Sequence, residues 1–441
     1  MNTRDTLKVN SLNHLEIGGC DTVELVKKFG TPLYCLDEAY VRNVCKIFSD
    51  TIKKEYGDGT VAYASKALSC IALYKIVKEE NLCVDVVSGG EIYTALKAGF
   101  NPEKMFFHGN NKLVSELQYA IGSGIGYIVA DSFDEIDLIN EIAGKMSKTQ
   151  RVLFRVNPGI EAHTHHSIQT ATVDSKFGFS VSNGDAVKVL QKALDAKNVI
   201  PVGFHCHIGS QIFDKNAFGL AVDKMTDFIK SVKNLCNFET EILNMGGGYG
   251  IYYTEGDPHF TLDEYTDYVK RLIVKLKECI EVKQIRKPVL VIEPGRSIVG
   301  EAGITLYTVG AVKEIKGVRK YVAIDGGMGD NPRFALYQAK YEAVFANRVN
   351  NETQEIVTVA GKCCESGDMI AVDVNLPDAK RGDIVAVFST GAYNYSMSSN
   401  YNRNPIPPMI LVKDGKADYM IKPQTYEDIT RNDVVPDWIK G

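Results

Sequence analysis

The chain has 441 residues, of which 45% are hydrophobic and 24% are charged, and its formal net charge is −5 at pH 7. This length predicts two domains, and the composition is that of a globular protein with enough apolar material for a large core. The small negative charge gives no electrostatic reason to expect nucleic acid or anionic lipid as a partner.

The N-terminal segment MNTRDTLKVNSLNHLEIGG is polar and lacks the apolar stretch of a signal peptide, and no apolar run approaches membrane-spanning length. The ten cysteines are scattered and form no CxxC pair. This spacing favours reduced thiols over a disulfide framework. We therefore expect a cytoplasmic protein with no membrane partner.

Eight short β-rich runs alternate with amphipathic segments such as EIYTALKAG and DAVKVLQKALDA between residues 60 and 296. The runs are TVAYASKA (60–67), LCVDVVS (82–88), MFFHGN (105–110), YIVAD (127–131), RVLFRVNP (151–158), PVGFHCHIGS (201–210), ILNMGGG (242–248) and VLVIEPGR (289–296). Eight strands and helices over roughly 240 residues predict a (β/α)8 TIM barrel. A doubly wound sheet is disfavoured because no GxGxxG follows the first strand.

After about residue 300, strand-like runs follow one another with only turns between them, from GITLYTVGAVKEI to MILVKDGKADYMI. Their alternation predicts an antiparallel, all-β domain, a C-terminal β-sandwich or barrel. The first 35 residues contain HLEIGG and TPLYCLD and are expected to pack with it. The predicted domains are therefore a barrel over 36–298 and a discontinuous β domain over 1–35 and 299–441.

Polar residues and glycines collect at the predicted strand ends, which is where TIM barrels carry their functional groups. The ends carry Lys66, Asp85 with SGGE, His108-Gly-Asn-Asn, Arg155-Val-Asn-Pro, His207-Ile-Gly-Ser210, Gly246-Gly247-Gly248 and Glu293-Pro294-Gly295-Arg296. Random strand ends would not gather so many polar groups, so this ring is predicted to be a site.

Three of these strand ends suggest one cofactor. Gly246–Gly248 and Ser210 could bind a phosphate, although a plain tight turn is an equal alternative for three glycines. Glu293 could hold a protonated ring nitrogen or simply form a salt bridge. Lys66, if desolvated, could form a Schiff base. A phosphate cradle, a carboxylate for a ring nitrogen and a lysine for an aldehyde are together what pyridoxal 5′-phosphate (PLP) requires.

The histidines raise an alternative. His207 is placed to lie flat on the cofactor ring, whereas His205 is expected to be a core residue. Together they form an HxH motif, which also occurs in metallohydrolases, but the strand ends offer glycines and a lysine rather than further metal ligands. His163, His165 and His166 lie in a polar loop and are expected to be exposed, so no metal is predicted.

The assembled motifs resemble the diaminopimelate decarboxylases, which belong to the alanine-racemase-like, fold-type III PLP enzymes. The resemblance covers nearly the whole chain and rests on the order of YASKA, DVVSGGE, SKFGF, HCHIGSQ, NMGGGYG, EPGR, CESGD and GAYNYSM. Any one of these motifs alone would be weak. Two differences stand out, a second cysteine at Cys363 and Phe334 where proline is common in relatives.

The resemblance implies roles for individual residues. Catalytic roles fall to Lys66 as the Schiff-base lysine, His207 stacked on the ring, and Cys364 as a proton donor that reaches the neighbouring subunit of a homodimer. The implied cofactor contacts are Lys66, Asp85, His207, Ser210, Gly246, Gly247, Gly248, Glu293, Pro294, Gly295, Arg296 and Tyr393. The implied substrate contacts are Arg296, Arg333, Tyr337, Glu365 and Tyr393.

The implied reaction converts meso-2,6-diaminopimelate to L-lysine and carbon dioxide, the last step of lysine biosynthesis. A sister decarboxylase acting on ornithine, arginine or carboxynorspermidine is the first alternative, disfavoured because a second substrate carboxylate explains the extra arginines. An amino-acid racemase is disfavoured by Glu293, since an arginine at that position would make a weaker electron sink. A non-enzymatic regulatory homologue would be expected to have lost Lys66 or Cys364.

Overall fold

The computed structural model describes four stretches of the chain, residues 6–159, 175–258, 261–351 and 354–439. The chain divides into two compact units. The barrel unit comprises 42–252 and 258–298, and the β unit comprises the described residues of 1–41, 253–257 and 299–441.

The first elements of the chain are short. They are β1 (Leu7–Val9), β2 (Leu15–Ile17), β3 (Cys20–Asp21), α1 (Thr22–Phe29), β4 (Leu33–Asp37) and α2 (Glu38–Glu55). The first three strands form a small antiparallel sheet. The Asp21 side chain accepts the backbone N–H of Val23 and so caps the start of α1.

The middle of the chain supplies nine strands, β5 (Gly59–Ala64), β6 (Cys83–Val86), β7 (Met105–Phe107), β8 (Tyr127–Ala130), β9 (Gln150–Asn157), β10 (Phe179–Ser180), β11 (Val199–His205), β12 (Ile242–Asn244) and β13 (Val289–Ile292). Eight of these strands pair in parallel in the order β5-β6-β7-β8-β9-β11-β12-β13, and β13 also pairs with β5. The short strand β10 pairs in parallel with β9 and is not part of this ring. The sheet is therefore a closed eight-stranded barrel, and the TIM-barrel prediction is confirmed.

Helices lie between the barrel strands. They are α3 (Ile71–Glu79), α4 (Gly89–Lys97), α5 (Val114–Gly122), α6 (Phe133–Lys145), α7 (Asp185–Leu194), α8 (Lys215–Cys236), α9 (Leu262–Lys283) and α10 (Arg296–Val299), with 3₁₀ turns at Ser65–Ala67 and Pro102–Lys104. Side-chain caps begin several of them directly after a strand, as Ser88 does for α4 and Ser132 for α6. Short capped connections keep the strand ends close to the helix starts.

A layer of apolar side chains fills the barrel interior. It consists of Ala62, Phe106, Val129, Leu153, Val202, Ile242 and Val291, each from a different strand, with Cys83 of β6 packed against them. Because the interior is a packed core and not a pore, polar chemistry is confined to the ends of the strands.

The β unit is built round a long strand. Its remaining elements are β14 (Gly303–Ile315), β15 (Arg319–Ile324), α11 (Arg333–Tyr337), β16 (Ala343–Phe345), β17 (Glu355–Ala360), β18 (Met369–Leu376), β19 (Ile384–Val387), β20 (Met409–Lys413), β21 (Lys416–Ile421) and α12 (Tyr426–Thr430), with 3₁₀ turns at Tyr395–Met397, Tyr401–Arg403 and Asp437–Ile439. β14 pairs with β15, with β19 and with the early strand β4.

The predicted antiparallel pattern is wrong at two places in this unit. β15 pairs in parallel with β17, and β20 pairs in parallel with β4. Both pairs join strands that are distant in sequence, so no hairpin turn dictates their direction. Strand β4, at the start of the chain, is thereby held between β14 and β20.

Two further predictions concern membrane-spanning segments and the cysteines. Within the described residues, no helix is both long enough and apolar enough to cross a bilayer. All ten cysteines lie in the described part of the chain, and each is a free thiol.

Asp330, a buried residue of the β unit, accepts hydrogen bonds from two core tyrosines, one at its carboxyl group and one at its backbone carbonyl oxygen. Tyr307 donates its hydroxyl to Asp330 Oδ1 at 2.5 Å, and the backbone N–H of Gly327 donates to Oδ2 at 2.8 Å. The Tyr34 hydroxyl donates to the Asp330 carbonyl oxygen. Burial, followed by the nearby Asp368 and Asp325 carboxylates, raises the pKa of Asp330 to about 7, against the hydrogen bonds from Tyr307 and Gly327.

This raised pKa predicts a pH-dependent stability. The folded state holds the Asp330 proton more tightly than the unfolded chain, so the stabilisation is complete below about pH 4 and is lost as pH rises through about 7. Relative to Asp330→Asn, wild-type protein should lose up to about 4 kcal/mol of unfolding free energy across that range. Urea denaturation of both proteins at one concentration and several pH values measures this difference. A difference that does not change with pH would contradict the prediction.

Candidate active site

The carboxyl ends of the barrel strands meet in one place and carry most of the predicted site residues. Lys66 lies in the 3₁₀ turn after β5, and Asp85 lies in β6. Glu293 follows β13, and the glycines 246–248 follow β12. Because parallel strands end at the same edge of a barrel, four separate sequence motifs face one volume.

Glu293 is buried, and side chains from three other strand ends contact its carboxylate. Asn244 Nδ2 donates to Oε1 at 2.6 Å, His108 Nε2 lies 2.8 Å from Oε1, and His205 Nε2 lies 3.1 Å from Oε2. Burial alone would raise the pKa of Glu293, but His108 and His205 outweigh it and hold that pKa well below its usual range. The carboxylate is therefore ionised and fixed in orientation.

His205 is buried, as expected of a core residue, and it also contacts the Glu293 carboxylate. Burial lowers the pKa of His205 to about 4, against the opposing effect of Glu293. The ring is therefore neutral near pH 7 and donates its Nε2–H to the carboxylate. Its Nδ1 is buried and has no hydrogen-bond partner among the described residues.

Asp85 and His108 form a second layer beside this carboxylate. Burial raises the pKa of Asp85 to about 6, with His108 opposing the shift and Glu293 adding to it. Burial lowers the pKa of His108, but Asp85 and Glu293 together raise it above its usual value. His108 Nε2 is 3.9 Å from Asp85 Oδ1, an atom without a hydrogen-bond partner in the described structure. Asp85 Oδ1 is therefore a hydrogen-bond acceptor that remains available inside the site.

Lys66 is exposed in the single chain. Its turn is fixed through Ser65, whose hydroxyl lies 2.6 Å from the Asp85 carbonyl oxygen and 2.7 Å from Glu91 Oε2. Lys112, in the segment after β7, is a buried cation paired with Glu135 at 2.6 Å, and so is not available as a nucleophile. Lys66 therefore presents an accessible amine at the strand-end face.

The glycine loop follows β12 and packs against neighbouring backbone. A Cβ on Gly247 would lie 2.0 Å from the Glu293 carbonyl oxygen, and Gly248 has a φ of +106° that favours glycine. The backbone N–H of Gly247 donates to His207 Nδ1 at 3.3 Å. Burial, and then the Lys66 charge, hold the pKa of His207 well below its usual range, so the ring is neutral.

Arg296 supplies a buried positive charge near the same loop. Its Nη2 donates to Ser210 Oγ at 3.0 Å, and its side chain is buried at the start of α10. A glycine loop that only bare backbone can form, an arginine with a serine, an accessible lysine and an ionised carboxylate fit the phosphate, aldehyde and ring nitrogen of PLP. The residues present therefore fit this cofactor.

The metal alternative is also visible in the structure. Ligand atoms of His108, His205 and Glu293 lie within 4.8 Å of one another and could hold an ion. All three side chains are buried, however, and their direct contacts have hydrogen-bond distances. A catalytic zinc site also needs an open position for water. The arrangement suits a carboxylate held by its donors, while the His163–His166 loop lies outside the described residues.

In the β unit, Arg333 is enclosed by tyrosines. Its guanidinium carbon lies 5.0 Å from the Tyr253 ring centre, 5.7 Å from that of Tyr341 and 5.9 Å from that of Tyr393. Nη1 donates to the Tyr341 hydroxyl at 2.6 Å. The side chain is 8% exposed, and no carboxylate in the described residues pairs with it. A buried cation without an acidic partner is a site for an anion.

The remaining predicted residues of the β unit are exposed. Tyr337 ends α11, and Cys364 and Glu365 lie in the loop between β17 and β18. The backbone N–H of Cys364 donates to Asn402 Oδ1 at 2.8 Å. The Cys364 thiol is therefore presented to solvent from a loop whose backbone is tied down.

Sequence reasoning missed several contacts of the site. His108 and Asn244 bind the Glu293 carboxylate, and Tyr253 and Tyr341 enclose Arg333. A signal existed for two of them, since His108 stands at a strand end and Asn244 lies two residues before the first glycine of the loop. Tyr253 and Tyr341 are far apart in sequence and carry no local signal.

Known proteins resemble this chain along its whole length. The family described as "Pyridoxal-dependent decarboxylase, pyridoxal binding domain" matches residues 43–300. Diaminopimelate decarboxylase of Halalkalibacterium halodurans is 49% identical over 429 residues, 97% of each chain. The Bacillus subtilis enzyme of the same name is 48% identical, again over 97% of each chain.

Solved structures agree with these relatives. The crystal structure of diaminopimelate decarboxylase from M. jannaschii in complex with L-lysine has a TM-score of 0.91, with 35% identity over 99% of each chain. Fold, site geometry and sequence likeness point the same way. The chain therefore belongs to the diaminopimelate decarboxylases, a family of PLP-dependent carboxy-lyases.

Proposed function

We propose that this protein decarboxylates meso-2,6-diaminopimelate to L-lysine and carbon dioxide, as the last step of lysine biosynthesis. The observation that carries the substrate choice is Arg333, a buried cation enclosed by tyrosines and without a carboxylate partner among the described residues. A diamine-forming decarboxylase has no second substrate carboxylate to place there. Diaminopimelate has one, and Arg333 would bind it.

PLP, when bound, supplies the electron sink into which the Cα–carboxylate bond breaks. The proposed contacts are Lys66 with its aldehyde, Glu293 with its ring nitrogen, His207 on its ring, and Ser210, Gly246–Gly248 and Arg296 around its phosphate. Asp85, Pro294, Gly295 and Tyr393 complete the cofactor set. Because Glu293 is ionised, it holds a proton at the ring nitrogen, which a racemase with an arginine there would not.

The substrate contacts are assigned to the β unit and to Arg296. Arg333, Tyr337 and Tyr393 would bind carboxylate, and Glu365 would meet the distal amino group. Cys364 would then deliver a proton to Cα after carbon dioxide leaves. Its exposure in the single chain accords with a role in the neighbouring subunit's site, so the protein is proposed to be a homodimer with shared sites.

Two domains are proposed, a barrel over 36–298 and a β domain over 1–35 and 299–441. The two compact units follow this division except that residues 36–41 and 253–257 belong to the β unit. A cytoplasmic location is proposed from the ten free thiols and from the biosynthetic reaction. No nucleic-acid or membrane partner is expected.

Lys66→Ala should abolish both turnover and the visible absorbance of covalently bound PLP, because the buried Lys112 cannot replace it. Absorbance spectra and carbon dioxide release with meso-diaminopimelate are the measurements. Lys75→Ala, an exposed lysine on α3, is the matched control and should keep both. Full activity in Lys66→Ala would rule out the PLP assignment.

Glu293→Gln should keep the cofactor bound but lower kcat by about 100-fold or more, the scale of losing one electrostatic stabilising group. A neutral amide cannot keep the ring nitrogen protonated, and its single oxygen can accept a hydrogen bond from only one of the two donors, Asn244 or His205. Steady-state kinetics at saturating PLP test this, with the cofactor spectrum as control. An unchanged kcat would mean that another residue contacts the nitrogen.

Mixing two inactive variants tests the shared site. Lys66→Ala and Cys364→Ala dimers each lack an intact site and should show at most a small residual kcat, but a mixed dimer has one site with both groups intact. Co-refolding equal amounts should restore up to about one quarter of wild-type activity, assuming random mixing and independent sites.

The control mixes wild type with the Lys66→Ala/Cys364→Ala double variant. Shared sites predict a fall to about one quarter of the activity of wild type alone, whereas unshared sites predict about one half. Single variants that stay inactive after verified subunit exchange would show that Cys364 does not act across subunits.

A further inference from the structure

The loop that carries Cys364 is tied to the core of the β unit by one buried carboxylate, Asp368. This side chain is 4% exposed. Its Oδ2 accepts the backbone N–H of Cys363 at 2.7 Å, and its Oδ1 accepts the backbone N–H of Met328 at 2.6 Å. Both oxygens are therefore used, and one of them holds the residue immediately before the proposed proton donor.

The surroundings of Asp368 are shaped to admit this carboxylate. A Cβ on Gly361 would lie 2.2 Å from Asp368 Oδ2, and a Cβ on Gly327 would lie 2.6 Å from the same atom. Two backbone bonds close the loop, from Gly361 N–H to the Asp368 carbonyl oxygen and from Lys362 N–H to the Gly326 carbonyl oxygen, each at 2.9 Å. The loop is thus built round the carboxylate.

Cys364 is held on its other side by Asn402. The Asn402 Oδ1 accepts the Cys364 N–H at 2.8 Å, and Asn402 has a left-handed φ of 52°. The backbone N–H of Cys363 therefore donates to the buried Asp368 side chain, and the backbone N–H of Cys364 donates to the exposed Asn402 side chain. The backbone is fixed while the Cys364 thiol stays exposed.

The two adjacent cysteines have different environments. Burial, and then the neighbouring Asp368 carboxylate, raise the pKa of Cys363 to about 11, so this thiol stays protonated and unreactive near pH 7. Asn404 Nδ2 lies 3.8 Å from its Sγ. Cys363 is therefore part of the anchor beneath the loop, which accounts for the second cysteine of the motif.

We propose that Asp368 is a positioning residue that sets the place of the Cys364 thiol by holding the Cys363 peptide. The inference rests on the proposed role of Cys364 as proton donor. Proton transfer needs donor and acceptor within hydrogen-bond reach, and misplacement by about 1 Å can cost about 100-fold in rate. A carboxylate that fixes the preceding peptide controls that distance without touching the substrate.

A double-mutant cycle tests whether Asp368 acts through Cys364. Asp368→Asn keeps the side-chain size but turns an NH₂ group toward one of the two N–H donors. It should lower kcat about 10- to 100-fold, with KM and cofactor affinity nearly unchanged. In the Cys364→Ala background the same change should lower the residual kcat no further. An equal fall in both backgrounds would overturn the proposal.

Amide hydrogen exchange provides a readout that does not depend on activity. Peptides covering 361–368 should exchange faster in Asp368→Asn than in wild type. Asp383→Asn is the matched control, because Asp383 is also buried in the β unit and accepts the Lys380 N–H at 2.7 Å. It should leave both the exchange of 361–368 and the kcat unchanged. Unchanged protection of the loop in Asp368→Asn would overturn the anchor.

The outcomes separate this inference from the proposed function. Full activity in Cys364→Ala would refute the donor role, while the exchange data would still report on the anchor.

If Asp368→Asn does not fold, Asp368→Glu replaces it in the same cycle. If neither folds, Asp368 is a folding residue and the positioning proposal is overturned. Asn402→Ala, an exposed change, should lower kcat several-fold in the wild-type background alone.

Discussion

The barrel site depends on one ionised carboxylate that is kept out of water. Glu293 is buried at the end of β13, and a buried charge costs several kcal/mol unless other groups satisfy it. Asn244, His108 and His205 supply that satisfaction from three other strand ends. Because Asn244, His108 and His205 come from three different strand ends, the carboxylate is stabilised and oriented only when the barrel closes.

The surrounding residues follow from the same constraint. His205 must stay neutral to donate a proton to the carboxylate, and burial lowers its pKa to about 4. Asn244 uses its Nδ2 for Glu293 and its Oδ1 to accept the Gly246 N–H at 2.9 Å. One amide thus links the carboxylate to the glycine loop. Asn244 therefore helps to position both the carboxylate and the glycine loop.

The β unit solves a related problem with the opposite charge. Arg333 is a buried cation, and tyrosine rings and one hydroxyl stabilise it in place of a carboxylate. The tyrosines stabilise the cation but supply no negative charge, so Arg333 can still bind an anion. Asp368, in the loop that carries Cys364, is likewise held by neutral donors, two backbone N–H groups and the Cys363 side chain. Among the described residues, these two buried charges are therefore held by neutral groups and not by oppositely charged side chains.

The sequence by itself determined the barrel and the chemistry at its strand ends. The eight strands could be predicted from the sequence, and so could the positions of Lys66, the glycine loop and Glu293 at strand ends. Each of these signals is local, because it consists of a β-rich run followed by polar residues or glycines. Tertiary structure alone decided which partners each charge has. His205 and Asn244 reach Glu293 only when the barrel closes, and β4 joins β20 in parallel across almost the whole chain. Tyr253 and Tyr341 meet Arg333 without any local pattern, because such contacts depend on packing between residues distant in sequence.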